Sequence, residues 1–167
     1  MTRSLAEIDA LLAADKGLFG TLEWREEGSV ASISAAAVDA LGNPIGGLEL
    51  RASAPTQTSV QRGSIVLLLD GAPLQRLSHR PDHAHRNKGA HPIPPNLRFK
   101  TLSPDQTRIY GWSDNRVWPR QDNIGAGRIV DPQPSTFMEA IELFLEACGI
   151  AAYIPEPPHR PELELDS

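Results

Sequence analysis

The stretch Ser64-Ile65-Val66-Leu67-Leu68-Leu69-Asp70-Gly71-Ala72-Pro73-Leu74-Gln75-Arg76-Leu77 decides the fold. Ile65 to Leu69 form an unbroken apolar run, the best candidate in the chain for a strand buried on both faces. Asp70-Gly71 is turn chemistry, and Leu74 to Leu77 can pair back as a short strand. A twisted antiparallel sheet holding such a run cannot leave both faces in water, so a helix must cover at least one of them.

Two segments supply helices. Over residues 4–16, Ser4 and Glu7 stand at capping-box spacing, Leu5, Ile8, Leu11 and Leu12 share one face, and Gly17 reads as the stop. From Phe137 to Cys148 the pattern repeats: Thr136 and Glu139 as caps, Phe137, Ile141, Phe144, Leu145 and Cys148 on one face, Gly149 as the stop. Between them, Leu18–Arg25, Val30–Val38 and Ile45–Ala52 read as a β meander with turns at Glu26-Glu27-Gly28 and Gly42-Asn43-Pro44. Residues 53–63 read as a loop or edge strand. Residues 78–96, with Pro81, Pro92, Pro94, Pro95 and Gly89, read as a long loop, and loops of that length are usually functional or disordered. Leu97–Leu102 and Thr107–Trp112 resume strand character. The expected fold is α+β, a single domain over residues 1–154. An antiparallel sheet of about six or seven strands would be packed by an N-terminal and a C-terminal helix. Residues 155–167 are Pro- and Glu-rich and expected to be loose.

Composition bounds the class. The 167 residues are close to one ordinary domain and enough to bury a core without disulfide or metal staples. With 40% hydrophobic and 22% charged residues, collagen-like, coiled-coil and strongly disordered chains are excluded. No run approaches the roughly 18 apolar residues of a membrane span, so no membrane partner is expected. Glu7 and Asp9 fall where a signal peptide is apolar. Cys148 is the one cysteine, which excludes an intrachain disulfide and points to a cytoplasmic location.

The net charge of −5 is an average of two unlike parts. Between Arg76 and Arg128 lie ten of the 16 basic residues and four of the 21 acidic ones, a balance of +6 that leaves −11 for the rest. Four of the five histidines (His79, His83, His85, His91) and two of the three tryptophans fall in the same window. The total argues against a general nucleic-acid coat protein, while the window could meet an anion.

Three readings compete for His79-Arg80-Pro81-Asp82-His83-Ala84-His85-Arg86-Asn87. His83 and His85, pointing to one side of an extended chain, could ligate zinc with Asp82, His79 or His91. They could instead act as a metal-free acid–base pair on RNA, with Arg86 stabilising the phosphate charge. Or the loop is solvated and its histidines cap backbone groups. The acid–base reading makes His83, His85 and Arg86 the catalytic set, with no metal or cofactor. Arg76, Arg80, Lys88, Arg108, Trp112, Arg116 and Trp118 are then the nucleic-acid-binding set, because aromatics among arginines suit stacking and phosphate contacts. The alternative for Tyr110 and Trp112 is core packing. Cys148 reads as a buried structural thiol, Asp70 as a turn residue, and Asp114-Asn115 as a turn between Trp112 and Trp118. Gly125-Ala126-Gly127-Arg128 is too short and badly placed for a phosphate cradle.

The segments LLLDGAPLQRLSHRPDHAHRN (67–87), RIYGWSDNRVWP (108–119) and FMEAIELFLEACGI (137–150) resemble an uncharacterised class of small bacterial proteins over roughly residues 45–155. In that class an apolar strand leads to an Arg-containing strand, a Pro/His-rich loop with H-R-N, an aromatic strand and a terminal helix. More weakly the chain is similar to TumE-like toxins of toxin–antitoxin pairs, which combine an Arg-containing strand with paired histidines. It departs from them at Ser78, where an Asp would follow Arg76 by two, and in its histidine spacing. The resemblance implies a mobile-element or defence context. Two functions follow as expectations. One is an RNA-directed protein of toxin or defence type, a metal-independent ribonuclease. The other is a non-catalytic interaction module, antitoxin-like, inhibitor-like or a complex subunit, with a cognate protein partner.

Overall fold

The computed structural model describes residues 3–120 and 124–161. Helix α1 (Leu5–Ala13) opens with the expected capping box: the Glu7 amide donates to Ser4 Oγ at 3.1 Å and the Ser4 amide to Glu7 Oε1 at 3.4 Å. Its end differs from the reading. The helix stops four residues before Gly17, and the buried Lys16 ammonium donates to the carbonyls of Leu11, Leu12 and Ala14 at 2.6–3.2 Å. A cation on the last carbonyls satisfies orphan acceptors and meets the negative end of the helix dipole. Gly17 lies instead in strand β1 (Lys16–Leu18).

The meander follows as β2 (Arg25–Glu27), β3 (Val30–Asp39) and β4 (Pro44–Pro55). The strand expected over residues 18–25 is two short strands joined irregularly, and residues 53–55 extend β4. The apolar run is β5 (Gly63–Leu69), and its partner β6 (Ala72–His79) runs two residues past the expected end. Of Leu97–Leu102 only β8 (Thr101–Leu102) is strand. It pairs with β7 (His85–Arg86) in a separate ribbon. Thr107–Trp112 shrinks to β9 (Arg108–Tyr110) followed by a 3-10 turn at Trp112–Asp114. An unforeseen strand, β10 (Arg128–Ile129), closes the edge. The main sheet has eight strands: β1-β3-β4-β5-β6-β9-β10 in one antiparallel path, with β2 alongside β3.

Alternation assigns the faces. Leu48, Leu50, Ala52 and Ala54 of β4, Ile65, Leu67 and Leu69 of β5, and Leu77 of β6 point into the main core. Helix α2 (Phe137–Ala147) covers that face with Phe137, Ala140, Ile141, Phe144 and Leu145. Its N-cap is Thr136 as read, the Glu139 amide donating to Thr136 Oγ1 at 3.1 Å, but the Glu139 carboxylate accepts from Ser135 rather than completing the box. Gly149, at φ +69°, ends it as expected. The Phe137 ring lies so close to Gly63 that a Cβ there would sit 2.3 Å from it. Glycine at 63 is what lets α2 approach the sheet. Burying each such Leu or Phe contributes roughly 1.5–3 kcal/mol.

The opposite face is polar and uncovered along β3–β5. Ser32, Ser53, Ser64 and Ser78 form one cross-strand row, and a trough of about 840 Å³ opens over it between β2 and Arg51. So β5 is not buried on both faces along its length: Leu68 is buried on this side, while Val66 faces the trough.

The stretch from residue 155 was expected to be loose, yet residues 155–161 lie on the fold. Trp24 Nε1 donates to the Pro155 carbonyl at 2.6 Å, His159 Nε2 to Thr58 O at 2.7 Å, and the Arg160 amide to Thr56 O at 2.6 Å. The Pro- and Glu-rich composition supplies no core, but backbone acceptors at the end of β4 tie this segment down. Residues 162–167 lie outside the described residues. No described helix is long and apolar enough to cross a membrane.

Candidate functional site

The chain leaves β6 through Arg80, whose φ of +46° turns it out of the sheet plane, and does not rejoin the sheet until Arg108. Two buried asparagines hold what lies between. Asn87 Nδ2 donates to the carbonyls of Leu97 and Gly127, while its Oδ1 accepts from the Gly127 amide at 2.8 Å. Asn115 does the same further along: Nδ2 donates to Gly111 O and Ala126 O, and Oδ1 accepts from the Ala126 amide at 2.8 Å. Each carboxamide thus pairs with a backbone amide as a strand would. The buried strap Gly125-Ala126-Gly127 is threaded between them. Gly127 is required there, since a Cβ would meet Leu102 at 2.8 Å and the Tyr110 ring at 3.1 Å.

A third clamp is Arg108. It is fully buried, and its guanidinium donates to the carbonyls of Gln106, Ser103 and His83 at 2.7–3.4 Å, with Nη1 lacking a hydrogen-bond partner among the described residues. Three loop carbonyls on one cation hold the loop against β9. Arg108 therefore sits behind the loop, out of reach of a phosphate outside.

The proposed catalytic residues point apart. His83 Nδ1 donates to Asp82 Oδ1 at 3.1 Å, a pairing that orients an imidazole, and this bond holds the Asp82 carboxyl below its usual range. Both side chains stand in water, 72% and 80% exposed, with no wall to enclose a reaction. His85 is half-buried, with Nε2 donating to the Gly125 carbonyl at 3.2 Å and its ring edge-on to Tyr110 at 5.2 Å. Arg86 points outward over the Phe99 ring at 5.7 Å. His79, a candidate ligand, is in the core, stacked on Phe137 and bonded to Thr107 Oγ1 at 2.9 Å. Burial, aided by the neighbouring Arg80 charge, pushes its imidazole down to about 4. No group of three His, Cys, Asp or Glu side chains among the described residues is arranged to hold a metal ion.

The expected nucleic-acid-binding set is dispersed by tertiary pairing. Trp112 is core, its Nε1 donating to Asp9 at 2.7 Å. Arg116 makes a two-pronged pair with the same Asp9, and it and Trp112 hold that carboxyl below its usual range. The structure places Trp112 in the main core, with Trp118 packing partly buried against it, while Tyr110 is buried on the other face of the sheet against His85 and the strap at Gly127. Arg80 leans towards Asp105, and Arg128 pairs with Asp114. Asp114 and Asn115 do lie in a tight turn. Arg76 stays exposed on the open face between Val66 and Tyr110, and Lys88 lies exposed beside Gly125. Cys148 is buried as expected, and burial pushes its thiol up to about 12.

Between the 88–93 and 115–120 stretches a hollow of about 330 Å³ opens to solvent. Lys88, His91 and Arg120 supply its polar side, and Ile93, Val117 and Pro119 its apolar wall. No acidic or aromatic side chain among the described residues lines it. Arg120 is held in place by donating to Pro73 O at 2.7 Å and Asn115 O at 3.0 Å. Sequence reasoning missed Asn87, Asn115, Arg120 and the strap. Gly125-Ala126-Gly127 was read only as a failed phosphate cradle, and nothing local named the two asparagines that hold it. No family model, curated protein or solved structure matches this chain.

Proposed function

We propose that this protein is a non-catalytic binding module that presents its pinned loop layer to another protein, in the manner of an inhibitor or antitoxin. One observation carries the reading: His83, His85 and Arg86 engage Asp82, Gly125 and Phe99 separately, rather than converging on a point a substrate could occupy. The effort of the loop layer goes into rigidity, and binding residues are commonly held on loops by a rigid scaffold. The resemblance to proteins of toxin–antitoxin pairs supports a cognate partner.

The ribonuclease reading makes a different forecast, and one experiment separates them. Wild type and a His83→Ala/His85→Ala double variant are incubated with mixed RNA, with and without chelator. The module reading expects the same RNA pattern from both. Cleavage by wild type that the double variant loses would return the catalytic reading. In parallel, tagged wild type is used to recover a complex from the native host. Loss of that complex in Val117→Glu supports the module, and recovery of no complex overturns it.

A further inference from the structure

We infer that the groove between β2 and the chain that follows β4, filled by residues 155–161, is a docking site for a proline-rich segment of another protein, with residues 155–161 as its built-in competitor. The groove is made by Trp24, Glu26, Thr56 and Thr58 and is no part of the loop layer on which the binding-module reading rests.

The resident occupant sets the chemistry. Residues 155–161 read Pro-Glu-Pro-Pro-His-Arg-Pro. All but His159 are prolines or stand directly before one, so their backbone is held to extended, polyproline-like conformations before any contact forms. Such a helix has about three residues per turn and no internal hydrogen bonds, which leaves its carbonyls to outside donors. Burial follows that period: Ile154 and Pro157 are buried, and three residues on the Arg160 amide donates to Thr56 O at 2.6 Å. On the receiving side, the Trp24 ring packs against the main core while its Nε1 donates to the Pro155 carbonyl at 2.6 Å. Aromatic-lined grooves recur as readers of proline-rich segments, and Trp suits them because its body is apolar and its edge donates. At the far end the His159 ring reaches Thr58 O, and the Arg160 guanidinium pairs with Glu26.

The segment is held weakly enough to leave. Of residues 155–161 only Pro157 is buried, and none lies in a strand or helix. The Arg160–Glu26 pair is 65% and 41% exposed, and ion pairs this wet contribute little. A tethered segment competes at an effective concentration on the order of millimolar. An incoming segment therefore shows an affinity reduced by the fraction of molecules whose groove is open. A second copy of this chain brings the identical sequence without the advantage of the tether, so at micromolar concentration it does not displace the resident. The occupant that enters is a proline-rich segment of another protein that binds more tightly than residues 155–161 do.

The test uses the full chain and the peptide N-acetyl-Pro-Glu-Pro-Pro-His-Arg-Pro-amide, with the Trp24 Nε1 proton resonance as the readout. Pro157→Ser/Arg160→Ser weakens the resident segment and leaves the groove intact. In that variant the resonance should move from its wild-type position and return as peptide is added. The peptide should bind the variant at least tenfold more tightly than wild type, because the resident no longer competes. A peptide with Gly-Gly for its central Pro-Pro should bind at least tenfold more weakly. Adding Trp24→Phe should weaken the intact peptide on the order of fivefold, read from the Thr56 and Thr58 amide shifts. Equal affinity for wild type and variant, indifference to the glycines, or a resonance that does not return would each overturn the inference. Wild type supplies an independent reading if the variant folds poorly. Its Arg160 amide should exchange with solvent at least a hundredfold faster than that of Leu67, since the segment opens without the sheet. Equal protection of the two amides overturns the inference. So does a wild-type dimer in sedimentation that the double substitution dissociates, because the groove then belongs to a second copy.

Discussion

The covered face of the sheet and the loop layer are held together by different physics. Under α2 the cohesion is apolar: Phe137, Phe144 and Ile141 against Ile65, Leu67 and Leu77, non-directional and spread over many side chains. In the loop layer the cohesion is directional. The carboxamides of Asn87 and Asn115 and the guanidinium groups of Arg98, Arg108 and Arg120 satisfy backbone groups that no strand reaches, and among the described residues Ile93, Leu97 and Ala126 form a small apolar cluster of their own. Apolar packing tolerates a change of partner if volume is kept, whereas a side chain bonded to backbone has no substitute of another shape. The first region should set global stability and the second should set local order.

The largest effect should come from the covered face. Phe137→Ala is expected to cost about 4 kcal/mol in denaturant unfolding, since it removes a fully buried ring. Gly63→Ala, which drives a methyl into that ring, should also destabilise, and pairing it with Phe137→Leu should restore part of the loss. If Gly63→Ala is neutral, the close approach of α2 to β5 is not what fixes residue 63.

Next comes His79, at the seam between the two regions. Its folded value of about 4 lies below the ordinary 6.5, so the unfolded chain binds its proton more readily. Stability from this group is therefore complete above pH 6.5 and is lost as pH falls towards 4, with Arg80 adding to the effect and Glu139 opposing it. The full difference amounts to about 3 kcal/mol. In His79→Gln the slope of unfolding free energy between pH 6.5 and 4 should flatten relative to wild type. An unchanged slope would assign the pH response to other groups.

Breaking the polar clamps should give smaller and more local changes. Asn87→Ala or Asn115→Ala leaves buried backbone groups at Gly127 or Ala126 unpaired, a cost of about 1–3 kcal/mol each. The two clamps hold one strap, so the double variant should depart from additivity. Hydrogen exchange should speed at Ala126 and Gly127 while the β5 amides stay protected. Equal deprotection of β5 would erase the contrast between the two regions. Arg116→Ala, at an exposed pair, should leave the unfolding midpoint unchanged.

Much of the covered face was legible beforehand. The Ser4 and Thr136 caps, the Gly149 stop and the alternation of Leu48, Leu50, Ile65 and Leu67 are local patterns, and local patterns survive into the fold. The loop layer was misread for the opposite reason. Arg108, Trp112 and Arg116 look like an interface when read as neighbours in the chain. In space Arg108 turns inward to three carbonyls, and the other two meet Asp9 of α1, more than a hundred positions away. Asp9 stands off the apolar stripe of α1, where nothing local gives it a partner, and it is a tether.

The sequence by itself determined the secondary structure of the covered half and the α+β class, because hydrophobic period and capping chemistry act over a few residues. It also located the basic window. Only the tertiary structure decided which charges of that window are neutralised, which aromatics are core, and that Asn87 and Asn115 pin the strap. Hydrogen bonds and ion pairs between distant segments depend on where the chain returns, and no local period encodes that.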